Sequence, residues 1–286
     1  MPGTIAFTVP ETVRTAFVVA TDRRPRGPAV LTALGPPFAA AAAARIGTPA
    51  LRIDDLAAAA SPFDLAPVTA RPAARHVCVT ADLPARDRPF GARVARAVAR
   101  AVAETTAGTA VDPDTGEVVA ALPEDPDFAL ADDWLGVRLP PYRDVGRCAA
   151  DEDAPDGCAC VELTTRGLRR LGLPELRIGG VSCRNDVAAL NLLRLAAQRL
   201  LPRAARPGVH RIPAEPELTG EDLAAYRGGG APAWPGGPVR VRWEPIGPRL
   251  LGLGPPDGRP GSLNAWLYDE VPPQLHGPDP DDAAPF

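Results

Sequence analysis

Runs rich in valine and threonine alternate with alanine-rich helical stretches along the first 120 residues. Residues 15–20 (Thr-Ala-Phe-Val-Val-Ala) and residues 76–82 carry the β-branched composition of strands. Between them, residues 35–45 are mostly alanine after Pro37 and predict a helix. A stronger helix follows Asp87. Phe90, Val94, Ala97, Val98, Ala101 and Val102 fall on one stripe at helical spacing, with Arg93, Arg96 and Arg100 on the other face. Gly108 ends it. Residues 109–112 predict the next strand, and Asp112-Pro-Asp-Thr-Gly-Glu117 predicts a turn into Val118-Val119. The resulting strand, helix, strand, turn, strand rhythm predicts an α+β fold built from split strand-helix-strand sandwich units.

The pattern changes near Asp125. Residues 134–139 predict a strand, residues 142–157 an acidic loop without apolar periodicity, and residues 158–163 another strand. Thr164 or Thr165 is placed to cap a short helix through Leu171, and residues 173–178 read as extended. Asn185 opens a long helix to Leu201. Val187, Leu190, Leu193, Ala197 and Leu200 make its stripe, which Leu192 and Leu195 broaden into a core-facing surface. From Arg203 onward proline and glycine increase. Residues 209–212, 239–243 and 265–268 predict short strands, residues 219–226 a capped helix, and residues 228–237 a flexible Gly/Pro connection. The organisation expected is an α+β unit over 1–124, a second packed on it over 125–205, a small C-terminal extension over 206–275, and a disordered acidic tail over 276–286.

Composition adds exclusions. The chain has 286 residues, of which 45% are apolar and only 5% aromatic, so alanine, valine and leucine must fill the core. All 31 basic residues are arginine. Without lysine there is no Schiff base, no P-loop lysine and no Ser-x-x-Lys nucleophile. The serines are Ser61, Ser182 and Ser262, and the histidines His76, His210 and His276, none in a hydrolase motif. The N-terminal residues lack the basic region of a signal peptide, and no run approaches the roughly 18 apolar residues of a membrane span. Five cysteines, an odd number, fit a reduced compartment, and a cytoplasmic location is expected.

The run Val161-Glu-Leu-Thr-Thr-Arg-Gly-Leu-Arg-Arg-Leu-Gly-Leu-Pro-Glu-Leu176 resembles a block in an uncharacterised actinobacterial protein family, a domain of unknown function. In that family a Thr-Arg-Gly-Leu and Gly-Leu-Pro-Glu-Leu stretch follows an alanine-rich helix and a Val-Asp-Pro-x-Thr-Gly turn. The similarity spans about residues 75–201 here. It implies no activity, and the cysteine-containing loop at 144–160 looks like a local insertion into the family pattern.

Several constellations bear on chemistry. Cys148, Cys158, Cys160 and Cys183 have the spacing C-x9-C-x-C-x22-C. Four thiolates suit tetrahedral zinc, but structural sites favour C-x2-C to C-x4-C pairs, so no cofactor is expected, with zinc on these four cysteines as the disfavoured alternative. His76 and Cys78 share one strand face, as packed core residues or a thiol–imidazole pair. The Asp112 turn resembles the start of a calcium loop without its remaining ligands. The aromatic residues Trp234, Trp243, Trp266, Tyr226 and Tyr268 are expected in a core.

Charge is polarised. Residues 112–162 hold 14 acidic residues and 3 arginines, net −11, whereas residues 166–211 hold 10 arginines against Glu175 and Asp186, net +8. The basic segment contains no Phe, Tyr or Trp, so it lacks a stacking platform for single-stranded nucleic acid. These charges serve either internal docking or an acidic partner, with Arg166, Arg169 and Arg170 as the partner-binding candidates. The function expected is a non-enzymatic protein-interaction module that binds an acidic protein or self-associates, without nucleic acid or membrane. The alternative is a carboxylate- or metal-assisted hydrolase of unrecognised class.

Overall fold

The computed structural model describes residues 3–69, 71–120, 127–138, 158–232, 234 and 236–277. Two five-stranded sheets organise them. The first is built from β2 (Thr12–Thr21), β3 (Arg52–Ala57), β4 (Arg75–Pro84), β5 (Thr109–Asp112) and β6 (Glu117–Val118), after β1 (Thr4–Val9). Its order is β3-β4-β2-β5-β6 and every pair is antiparallel. The second contains β7 (Gly136–Arg138), β8 (Val161–Arg166), β9 (Glu175–Val181), β13 (Arg242–Gly247) and β14 (Leu250–Gly254), in the order β13-β14-β9-β8-β7. Only β14 and β9 in it run parallel. Two ribbons complete the strands: β10 (Gly208–Pro213) pairs with β1, and β11 (Glu217–Leu218) with β12 (Val239–Arg240). The α+β class expected from the alternation of patterns is the one observed.

Helices cover the sheets. Helix α3 (Phe90–Thr106) packs on the first sheet, and α1 (Gly27–Ala33) and α2 (Phe38–Arg45) pack on α3. Helix α4 (Asp186–Leu200) lies on the second sheet and against α5 (Gly220–Tyr226), while α6 (Leu263–Glu270) meets β9. One hydrophobic cluster runs from Phe7 to Leu275 and takes in residues of both sheets. The 206–275 segment, expected as an extension, is therefore woven in: it supplies two strands of the second sheet and the partner of β1.

Some elements differ from the sequence pattern. Val94, Val98 and Val102 are buried as their stripe requires, but Arg93 and Arg96 are also buried, at 6% and 3% exposure. Each lies over an aromatic ring, Arg93 on Phe38 and Arg96 on Trp134, which gives a guanidinium a place inside. Strand β8 continues through Thr164 and Thr165 to Arg166, so neither threonine caps a helix, and a single 3₁₀ turn at Leu168–Leu171 follows. Residues 265–268, expected as a strand, belong to α6: Ser262 accepts the Ala265 N–H at 3.1 Å and sets the helix going. Of the 276–286 tail, His276 and Gly277 are described. The side-chain amide of Asn191 donates to the Gly277 carbonyl at 3.4 Å, and the remainder lies outside the described residues.

Candidate functional site

The acidic and basic halves of the chain meet at the β5–β6 turn. The Asp112 carboxylate accepts the Asp114 N–H at 2.8 Å and the Gly116 N–H reaches the Asp112 carbonyl at 2.7 Å, which closes the turn. Gly116 has φ +81°, the left-handed conformation this turn demands. The 3₁₀ turn at Leu168–Leu171 then presents two arginines to it. Arg170 Nη2 lies 2.7 Å from Asp112 Oδ1 and 3.3 Å from Asp114 Oδ2. Arg169 Nε donates to Asp114 Oδ1 at 2.7 Å, and Arg166 donates to the Pro113 carbonyl at 3.1 Å. The Arg170 side chain has no exposure at all. Its guanidinium carbon stands 5.4 Å from the Phe17 ring centre and 5.5 Å from that of Trp134.

Glu175 holds the basic side in place. Its carboxylate accepts Thr165 Oγ1 at 2.7 Å and the backbone N–H groups of Gly167 and Arg169, each at 3.1 Å. Burial pushes the Glu175 carboxyl above its ordinary value, and the hydrogen bonds it accepts offset part of that rise. Arg166, Arg169 and Arg170 are thus all engaged by the Asp112 turn; Arg170 is fully buried and out of reach of any partner, whereas the Arg169 side chain stays 62% exposed. Beside them, Arg96, Asp112, Thr115, Glu117, Val118, Val119 and Asp133 line a cavity of about 10 Å³, room for about one water molecule. Glu117 is also raised, by burial first and then by Asp133 and Asp112.

The second half of the basic segment faces outward. Arg199, Arg203, Arg206 and Arg211 are exposed, and so is Val209 at 65%. Arg199 and Arg203 border a groove of about 610 Å³ whose floor includes Leu200, Ile212 and Trp243 and whose rim carries Glu215 and Glu217. Arg199 Nη1 lies 3.7 Å from Asp222, the residue that completes the capping box of α5 with Thr219. The sequence pattern points to Arg166, Arg169 and Arg170 and not to these later arginines; the apolar floor under Arg203, to which β10 and β13 contribute, has no local signature.

A third grouping is made of sulfur. The β8–β9 register sets Val161 opposite Val181, so the residues before β8 meet those after β9. Cys160 Sγ lies 3.2 Å from Cys183 Sγ, and Cys158 Sγ lies 3.6 Å from each of the other two. The Cys183 N–H also donates to Cys158 Sγ at 3.2 Å. These three thiols can hold a metal ion; Cys148 lies outside the described residues. Cys78, by contrast, is 3% exposed and burial pushes its thiol pKa up, which leaves it an inert core residue. Burial lowers the neighbouring His76. Trp234, Trp243, Trp266 and Tyr226 are all buried, while Tyr268 is 47% exposed and lies under Arg184. Among the described residues no helix is long and apolar enough to cross a membrane.

No family model, curated protein or solved structure matches this chain.

Proposed function

We propose that this protein is a non-enzymatic interaction module that docks an acidic protein segment along Arg199, Arg203, Arg206 and Arg211. One observation carries the reading. Arg169 and Arg170 pair with Asp112 and Asp114, whereas Arg203, Arg206 and Arg211 lie exposed with Arg199, and Arg199 and Arg203 border an apolar-floored groove. The exposed guanidiniums from Arg199 to Arg211 supply steering, and the apolar floor that Arg199 and Arg203 border beside Glu215, Glu217 and Asp222 supplies a place for a side chain to anchor. The reading requires no cofactor. Self-association is the variant of it that Glu215 and Glu217 on the same rim support, since a face carrying both signs can meet its own copy. The hydrolase alternative has less behind it: the carboxylates Asp112, Glu117 and Asp133 border a cavity of only about 10 Å³.

The test is fluorescence anisotropy with labelled poly-glutamate and, in parallel, short duplex DNA, at about 50 and about 200 mM salt. Poly-glutamate should bind at the lower salt, and Arg199→Glu combined with Arg203→Glu should weaken it by at least about tenfold, while DNA binds more weakly throughout. Poly-glutamate binding that is absent at low salt, or indifferent to the two reversals, refutes the acidic-partner reading. Preference for DNA with a fall of about 10³ between the two salts makes the face a phosphate-binding surface instead.

A further inference from the structure

We infer that Cys158, Cys160 and Cys183 form a structural zinc site that fastens the start of β8 to the turn after β9. The inference is independent of the docking reading. The three sulfurs form a nearly regular triangle with edges of 3.6, 3.6 and 3.2 Å. Tetrahedral zinc with bonds of about 2.3 Å separates its sulfur ligands by about 3.8 Å, so the observed triangle is one face of that tetrahedron, slightly contracted. An ion about 2.3 Å from all three sulfurs stands about 1 Å off their plane, and a structural tetrahedral site takes one further donor on that side.

A disulfide explains the triangle less well. One S–S bond would bring two of these sulfurs to about 2 Å, whereas here all three edges are similar and no pair among the three is bonded. The sulfur-only donor set also selects for a soft or borderline ion and against calcium or magnesium. Each coordinating thiol gives up its proton to solvent and binds as thiolate. The Cys183 N–H aimed at Cys158 Sγ favours that charge, as hydrogen bonds to a metal-bound thiolate do.

The scaffold behind the sulfurs is fixed. Asn264 on α6 accepts the Ser182 N–H at 2.7 Å and donates to the Gly180 carbonyl at 3.1 Å, on either side of Val181 and next to Cys183. Asn185 Nδ2 in turn donates to the Asn264 carbonyl at 3.3 Å. Cys183 is therefore held by buried amides, while Cys158 and Cys160 come from the residues leading into β8. A ligand set presented by the approach to β8 and the turn after β9, brought together by the antiparallel pairing of the two strands, needs no short Cys-x2-Cys turn, so the long gap between Cys160 and Cys183 is no obstacle.

The experiment uses the full chain purified under reducing conditions without chelator. Elemental analysis should find about one zinc per chain, and Cys160→Ser or Cys183→Ser should reduce it by at least about tenfold, while Cys78→Ser leaves it unchanged. If a serine variant fails to fold, the wild-type chain decides. After zinc is withdrawn with a mild chelator and the circular dichroism is followed, Co(II) should restore the signal and develop an intense thiolate-to-cobalt charge-transfer band. A zinc-free native chain that gives no such band, or full zinc retention in Cys160→Ser and Cys183→Ser, overturns the inference.

Discussion

Arg170 shows how a charge survives in the centre of this protein. It is fully buried, faces Asp112 and Asp114, and sits near the rings of Phe17 and Trp134. A buried ion pair is weak evidence of net stabilisation, because removing two ions from water costs about as much as their attraction returns. Breaking it is another matter, since the remaining carboxylate is left uncompensated. Arg170→Met should therefore destabilise the chain by about 3–5 kcal/mol in urea denaturation. Adding Asp112→Asn should recover part of that loss, because the stranded charge has gone, and the double-mutant cycle reads the coupling directly. A loss below about 1 kcal/mol for Arg170→Met means that the pair is not closed in solution.

At the scale of the element, the 3₁₀ turn between β8 and β9 depends on Glu175. Its carboxyl is raised by burial from an ordinary value of 4.5, so the unfolded chain releases this proton before the folded chain does. Stability from this group is full below the ordinary value and falls as pH rises through the raised one. Wild type should accordingly lose stability relative to Glu175→Gln as pH climbs above about 4.5, measured by thermal melts across pH. A difference between the two that stays flat with pH contradicts the burial argument.

Elements of this kind were legible in the sequence where periodicity was strong and local. The valine stripe of α3 lies where the pattern put it, and the buried face of α4 keeps Leu192, Leu193, Leu195, Ala197 and Leu200 but leaves Val187 and Leu190 half-buried in favour of Ala188 and Ala189. What was not legible depends on distant residues. Arg93 and Arg96 break the helix pattern because Phe38 and Trp134 arrive from elsewhere to cover them. Strand β14 contributes only Leu-Leu-Gly-Leu-Gly to the pattern, and its place beside β9 is a parallel pairing across 70 or so residues. The proximity of the cysteines was hidden for the same reason: their spacing along the chain says little when strand register brings them together.

Across the whole molecule, one buried arginine stitches segments that the sequence pattern kept apart. Arg88 donates to the carbonyls of Pro10 and Leu83 on one side and of Leu171 and Ala204 on the other. With the continuous cluster from Phe7 to Leu275, this makes the two sheets one cooperative unit. Arg88→Met should remove these bonds and strand buried carbonyls, at a cost of about 3 kcal/mol, while the unfolding transition stays single. Two resolved transitions in the wild-type chain would show that the sheets unfold separately.

The same scale governs function. The arginines near the Asp112 turn are spent on holding the sheets together, and those from Arg199 to Arg211 remain at the surface. Hydrogen exchange of the full chain with and without bound poly-glutamate tests that division most directly. The account predicts slowed exchange over residues 198–217, with residues 112–118 and 166–171 already protected and unchanged. Slowed exchange centred on residues 166–171 would place the partner on the arginines assigned here to the Asp112 turn and would contradict it.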